Sequence, residues 1–263
     1  MNFDEYTFYD ININFEVDTM PETTTWIQGA IVITSAATIQ SITGFGFGLA
    51  AIPFLIMIYN PKMAVGLSII LSFCGLLTLL FKIKKETQWD MVKKLFLGAI
   101  FGLPVGVFIF KTVNVGILKI IISFTIIILS LLMTLKIRFR INSNNKKIQF
   151  ITGTISGILT SSIGMPGPPI VLLLSNLELT KEKFRATTVA YFVLIYPSSF
   201  ITLATTGSIP LNTFTTALTL LPFIFIGIKI GSKIFKTVPA EKFKNVVLFL
   251  LIMVGLYSII TTV

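Results

Sequence analysis

Beyond residue 25 the chain is a succession of apolar segments separated by short polar, glycine-rich or proline-rich stretches. The pattern predicts ten helical segments, at about residues 26–43, 49–59, 62–81, 90–110, 115–135, 148–163, 169–177, 184–205, 211–235 and 241–262. A helix needs about 20 residues to cross the hydrocarbon layer of a membrane. Segments 49–59 and 169–177 are too short; at about 1.5 Å per residue they reach roughly half-way. Each follows a broken stretch, Gly44-Phe45-Gly46-Phe47-Gly48 or Gly164-Met165-Pro166-Gly167-Pro168-Pro169. Residues 26–59 and 148–177 are therefore expected to be hairpins, each of two helices broken inside the membrane. Tilted or partly buried short helices fit the same lengths.

Composition removes the soluble alternative. Of the 263 residues 54% are hydrophobic and 12% charged, with a mean hydropathy of +0.90. A soluble fold of this size cannot hide so much apolar surface, because more than half of its area must face water. The expected fold class is an all-α integral membrane protein. The chain has no histidine and one cysteine, Cys74. Histidine-based haem, zinc and general-base chemistry is thereby excluded, as is an intramolecular disulfide. Cys74 is expected to be a small buried hydrophobe.

The net charge of +10 acquires meaning from its distribution. Asp4, Glu5, Asp10, Glu16, Asp18 and Glu22 make the first 25 residues an acidic tail. All basic residues except Lys62, Lys111 and Lys119 fall in four clusters, at 82–94, 136–147, 181–185 and 229–244. Loops rich in Lys and Arg stay in the cytoplasm. The four clusters are thus expected inside, the tail and both termini outside, and no nucleic-acid role is implied. A multi-pass protein of the cell membrane is expected.

The halves resemble each other. Gly102-Leu-Pro-Val-Gly106-Val-Phe-Ile-Phe-Lys111-Thr112-Val113 aligns without gaps to Gly227-Ile-Lys-Ile-Gly231-Ser-Lys-Ile-Phe-Lys236-Thr237-Val238. The two breaks correspond, as do Pro61–Ser68 and Thr180–Thr187. The expected organisation is a tail (1–25), a first membrane repeat (26–136), a basic linker (137–147) and a second repeat (148–263). Each repeat is a broken re-entrant hairpin followed by three crossing helices. Three is odd, so the second repeat enters from the opposite face. Inverted repeats with helices broken near the midplane are the architecture of secondary transporters.

These residues resemble the sulfite exporter TauE/SafE family of membrane permeases. In the first half the resemblance rests on Gly44–Gly48, Pro53 and Pro61-Lys62-Met-Ala64-Val65-Gly-Leu-Ser68. In the second half it rests on Gly164-Met-Pro166-Gly167-Pro168-Pro169 and Lys181-Glu182-Lys-Phe184-Arg185-Ala186-Thr187. At Pro166 the family pattern has glycine. The resemblance covers nearly everything after residue 25. It implies transport of a small sulfur-containing anion such as sulfite or an organosulfonate.

The candidate chemistry suits an anion. No Asp or Glu lies inside an apolar segment, whereas intramembrane carboxylates are the usual cation ligands and proton carriers. Helix starts at a break present unpaired N–H groups carrying about half a positive charge. Glycine lets the backbone approach a ligand closely, and proline in the first turn forfeits no hydrogen bond. The substrate site is therefore expected at the paired breaks: Gly44, Gly46 and Gly48 with Gln40, Ser41 and Thr43 before them, and Gly164, Gly167, Pro168 and Pro169 with Thr160, Ser161 and Ser162 before them. Arg185 offers a planar fork to an oxyanion; the alternative is an arginine snorkelling at a helix end. Ser68 and Thr187 are repeat mates that either face the cavity or bond the carbonyl four residues back. No catalytic residue, cofactor, metal site or nucleotide-binding motif is expected; a membrane-embedded enzyme would need a nucleophile–base pair that the core does not supply. The coupling ion, H+ or Na+, and the oligomeric state are left open. A passive anion channel of the same fold and a carrier of a non-sulfur organic anion are the alternatives.

Overall fold

The computed structural model describes residues 23–114, 116–118, 120–122, 124–125, 145–177 and 179–237. The acidic tail to residue 22, most of segment 115–135, the linker up to residue 144 and segment 241–262 lie outside the described residues. The described residues contain helices and short connections and no strand.

The described residues include the helices α1 (Thr23–Thr43), α2 (Phe47–Ile58), α3 (Pro61–Ile83), α4 (Trp89–Thr112), α5 (Lys146–Ile163), α6 (Gly167–Ser175), α7 (Lys181–Thr205) and α8 (Asn212–Thr237). A single 3-10 turn, Lys84–Glu86, joins α3 to α4. Their starts are written in the sequence. The Asn60 side chain accepts from Lys62 N–H at 3.0 Å ahead of Pro61, and Asn145 accepts from Lys147 N–H at 2.9 Å. Thr180 accepts from Lys183 N–H at 3.3 Å. Such caps satisfy donors that the first helical turn leaves unpaired.

Among the described residues four helices are long and apolar enough to cross a membrane: Pro61–Glu86 including the 3-10 turn, Trp89–Thr112, Lys181–Thr205 and Asn212–Phe235. The second arms of the two expected hairpins are short. With 12 residues in α2 and 9 in α6, they span about 18 and 14 Å.

Two helix pairs pack backbone to backbone. On the α4–α5 face, a Cβ on Gly98, Gly102 or Gly106 would stand 2.0, 2.1 or 2.4 Å from the carbonyl oxygens of Phe150, Thr154 and Ile158. From the other side, Gly153 and Gly157 meet the carbonyls of Leu95 and Ala99 at 1.9 and 2.3 Å. On the α1–α8 face, Gly227 and Gly231 meet the carbonyls of Thr34 and Thr38, each at 2.4 Å. Only a residue without a side chain permits such contact, and in lipid this close packing drives helix association. Each hairpin thus packs against a helix from the opposite half of the chain.

The interior is one apolar cluster to which α1 to α8 all contribute, with Phe47, Phe110, Tyr191 and Phe192 among its largest buried side chains. Phe101 and Phe108 on α4 and Leu218 on α8 are exposed, as expected of side chains that meet lipid. The connection after α3 lies against the start of α7. Thr87 Oγ1 donates to the Ala186 carbonyl at 3.3 Å, and Gln88 N–H donates to Thr187 Oγ1 at 3.1 Å. Lys181 and Arg185 both lie over the Phe235 ring, and Asp90 lies within electrostatic reach of Lys146. The described basic residues at the end of α3, the starts of α5 and α7 and the end of α8 therefore gather at one end of the described helices. Lys62 stacks on Phe110 near the start of α3 and the end of α4, where no cluster lies.

Candidate functional site

The two breaks share one geometry. The first helix of each hairpin ends on a glycine in the left-handed region, Gly44 (φ +81°) and Gly164 (φ +71°). Their N–H groups donate to the carbonyls of Gln40 and Thr160 at 2.7 and 2.9 Å. This is a glycine helix stop, available at low cost only to a residue without Cβ. Gly46 (φ +90°) then turns the chain into α2. Ala50 N–H closes the first turn on the Gly46 carbonyl at 2.9 Å, so the N–H groups of Phe47, Gly48 and Leu49 stand ahead of the first intrahelical bond. All three residues are buried.

The breaks touch each other. A Cβ on Gly48 would lie 2.6 Å from the Gly164 carbonyl oxygen and 3.3 Å from Met165 Cγ. A Cβ on Gly167, which opens α6, would meet Phe192 and Phe45 at ordinary contact distances of 3.7 to 3.9 Å. The start of α6 is poorer in donors than that of α2. Pro168 and Pro169 have no N–H, and the Pro166 carbonyl is taken by Ser156 Oγ at 2.7 Å.

Arg185 flanks the first break. It is 6% exposed, so it does not snorkel to water. Its guanidinium donates to the Ser41 carbonyl at the end of α1 and sits 4.1 Å above the Phe235 ring. Its Cγ is 3.0 Å from where a Cβ on Gly44 would be, and its Nε has no hydrogen-bond partner. Burying a cation costs several kcal/mol. A charged hydrogen bond returns about 1.5–3 kcal/mol and a desolvated cation–π contact about 2 kcal/mol.

A family model described as "Sulfite exporter TauE/SafE" matches residues 29–258. The chain belongs to the sulfite exporter TauE/SafE family. No curated protein and no solved structure matches it. The match spans both breaks, and with the apolar helices it makes this TauE/SafE protein a multi-pass membrane permease.

The remaining expected site residues of this TauE/SafE chain divide by whether their polar atoms are engaged. Ser41 Oγ donates to the Ile228 carbonyl at 3.0 Å and lies 2.9 Å from Ser232 Oγ. Thr43 Oγ1 accepts from Phe45 N–H at 3.1 Å and donates to the Ile39 carbonyl at 2.8 Å. Thr160 and Ser162 bond the carbonyls of Ser156 and Ile158 in their own helix. Ser161 pairs with Ser199 at 3.0 Å. Thr187 holds the Gln88 N–H just before α4. Gln40 and Ser68 differ: both are buried, and neither the Gln40 amide nor Ser68 Oγ has a hydrogen-bond partner.

Sequence reasoning passed over Ser72. It is fully buried on α3, with the Tyr196 phenol beside it and no hydrogen-bond partner at bonding geometry. The signal was the spacing Ser68, Ser72, Gly75, which places three small or polar residues on one face of an apolar helix. Cys74 on the same helix is half-buried, less enclosed than its apolar neighbourhood suggested. Among the described residues no group of His, Cys, Asp and Glu could hold a metal ion.

Proposed function

We propose that the protein is a secondary permease for a small sulfur-containing oxyanion, sulfite or an organosulfonate, held where the two helix breaks meet. The observation that carries this reading is the contact of Gly48 with the Gly164 carbonyl beside the N–H groups that precede the first intrahelical bond of α2. Two interrupted helices abutting inside an apolar core leave backbone groups that lipid cannot satisfy, and such irregular backbone is tolerated where it lines a cavity or meets a ligand. Gly44, Gly46, Gly48, Gly164 and Gly167 allow the approach. Arg185 supplies the one buried cation among the described residues. Gln40 and Ser68 offer uncommitted hydrogen bonds; the other hydroxyls act by holding the breaks in shape.

The inverted repeat belongs to this proposal. The matching contacts support it: Gly102 and Gly227 each meet a carbonyl one helical turn before Gly106 and Gly231 do the same, and Lys62 over Phe110 parallels Lys181 over Phe235. In this reading α1–α2 and α5–α6 are re-entrant hairpins, and each is held by a helix of the other repeat. The protein lies in the plasma membrane with its basic end in the cytoplasm, and a gradient of H+ or Na+ drives flux.

Purified protein in proteoliposomes tests the reading. Labelled sulfite and sulfoacetate are expected to accumulate saturably, with chloride and acetate failing to compete. Counterflow of preloaded sulfite distinguishes a carrier from a channel. Absence of saturable flux for every sulfur oxyanion overturns the assignment.

A further inference from the structure

The start of α6 is short of hydrogen-bond donors, and a buried phenol lies close to it. Pro166, Pro168 and Pro169 have no N–H, so of residues 166–169 only Gly167 carries one. The start of α2, by contrast, has the N–H groups of Phe47, Gly48 and Leu49 ahead of its first intrahelical bond. Tyr191 on α7 is fully buried, and its hydroxyl has no hydrogen-bond partner. That hydroxyl lies beside Ser156 of α5, short of bonding geometry. Ser156 Oγ donates its own hydrogen to the Pro166 carbonyl at 2.7 Å. The Ser156 side chain thus links the surroundings of the Tyr191 hydroxyl to the opening of α6. Phe192, whose ring centroid is 5.7 Å from that of Tyr191, has its ring tip 3.7 Å from where a Cβ on Gly167 would stand. The same stretch of α7 therefore packs against the second break. Burying an unpaired hydroxyl destabilises an apolar interior. Phenylalanine fills such a space without that penalty, as the buried Phe192 does one residue on.

We infer that the Tyr191 hydroxyl is a substrate-binding donor at the second break, where it stands in for the backbone N–H groups that the prolines lack. This rests on the permease reading above and adds a binding residue to its site. A phenol donates one hydrogen. A charged oxygen is a stronger acceptor than the Ser156 hydroxyl, and charge-assisted hydrogen bonds are about twice as strong as neutral ones. The Tyr191 hydroxyl therefore donates to a sulfite or sulfonate oxygen when one is present. The anion is held from two sides, by the N–H groups that open α2 and by the phenol of α7.

Saturable uptake of labelled sulfite by proteoliposomes, with Tyr191→Phe and Tyr196→Phe compared with wild type, tests the assignment. Tyr191→Phe removes one oxygen and keeps the ring. Its half-saturation concentration is expected to rise by about tenfold or more, the loss of one hydrogen bond to a charged group. Its maximal rate is expected to change by less than about threefold, since the bond lost is a binding interaction. Its midpoint of thermal unfolding in detergent without sulfite is expected to hold or rise, because an unpaired buried group is gone. The rise of that midpoint on adding sulfite is expected to be smaller than in wild type. Tyr196→Phe, whose phenol lies beside Ser72 of α3, is expected to keep the half-saturation concentration within about twofold, because no binding interaction is removed. A merely packed Tyr191 predicts wild-type half-saturation and wild-type stabilisation by sulfite in Tyr191→Phe, and that result overturns the assignment. An equal loss of affinity in both phenylalanine variants overturns it too. Tyr191→Met, which also lacks the hydroxyl, carries the same comparison if Tyr191→Phe does not fold. Each of these failures leaves wild-type sulfite flux intact, whereas absence of that flux overturns the permease reading itself.

Discussion

Single residues carry the two breaks through backbone conformation. Gly44 combines a left-handed φ of +81° with atoms of Arg185 at 3.0 to 3.3 Å from a prospective Cβ. Gly207, in the turn after α7, has a left-handed φ of +64° with nothing within 4 Å. A side chain in that conformation costs about 1–2 kcal/mol, and crowding adds to it only at Gly44. Gly44→Ala is therefore expected to destabilise the protein by about 2–4 kcal/mol and Gly207→Ala by about 1 kcal/mol. Thermal unfolding of the two variants in one detergent gives the ranking; equal shifts contradict it. At Gly48 the consequence is functional. A methyl group 2.6 Å from the Gly164 carbonyl must push the breaks apart. Gly48→Ala is expected to lower sulfite uptake at least tenfold while the protein remains folded.

At the scale of elements, stability depends on how closely helix backbones approach. The α4–α5 pair is in contact at Gly98, Gly102, Gly106, Gly153 and Gly157, with prospective Cβ distances of 1.9 to 2.4 Å to facing carbonyls. No rotamer relieves a clash with backbone, so the helices themselves must separate. Gly102→Ala and Gly227→Ala are each expected to lower the midpoint of thermal unfolding markedly. Gly116→Ala, where the nearest atom to a Cβ is Asn114 Oδ1 at 3.6 Å, is expected to be neutral or stabilising, since alanine favours a helix by about 1 kcal/mol over glycine. A tolerated Gly102→Ala removes the packing argument. Because α4 grips α5 and α8 grips α1, the structural units that move together are expected to cross the boundary between repeats.

The whole molecule is polarised. Among the described residues, the connection after α3, the starts of α5 and α7 and the end of α8 bring their basic side chains to one end. The turn between α7 and α8, with Leu211 exposed, carries no charge. In a Cys74→Ser background, a single cysteine replacing Lys84 is expected to react with a membrane-impermeant maleimide only from the cytoplasmic side. One replacing Leu211 is expected to react only from outside. Labelling of both from the same side overturns the orientation. Membership of the TauE/SafE family and the carboxylate-free apolar segments agree with an anion permease at this scale.

The sequence by itself determined the membrane class, the eight helices described above to within a few residues and both breaks. Each depends on local properties: hydropathy over about 20 residues, and the φ freedom of Gly44, Gly46 and Gly164. It also singled out Arg185, but without its surroundings. Tertiary structure decided which of the remaining polar groups are free. Ser41, Thr43, Thr160, Ser161, Ser162 and Thr187 are equivalent to Gln40 and Ser68 as letters in a chain. Thr43, Thr160 and Ser162 bond their own chain neighbours, the fold supplies distant partners to Ser41, Ser161 and Thr187, such as the Ile228 carbonyl for Ser41 and the Gln88 N–H for Thr187, and Gln40, Ser68 and Ser72 are left unpaired. Hydrogen-bond satisfaction depends on atoms more than 100 residues away in the chain for Ser41, and on which helix faces Gly75 for Gln40. No local pattern encodes either.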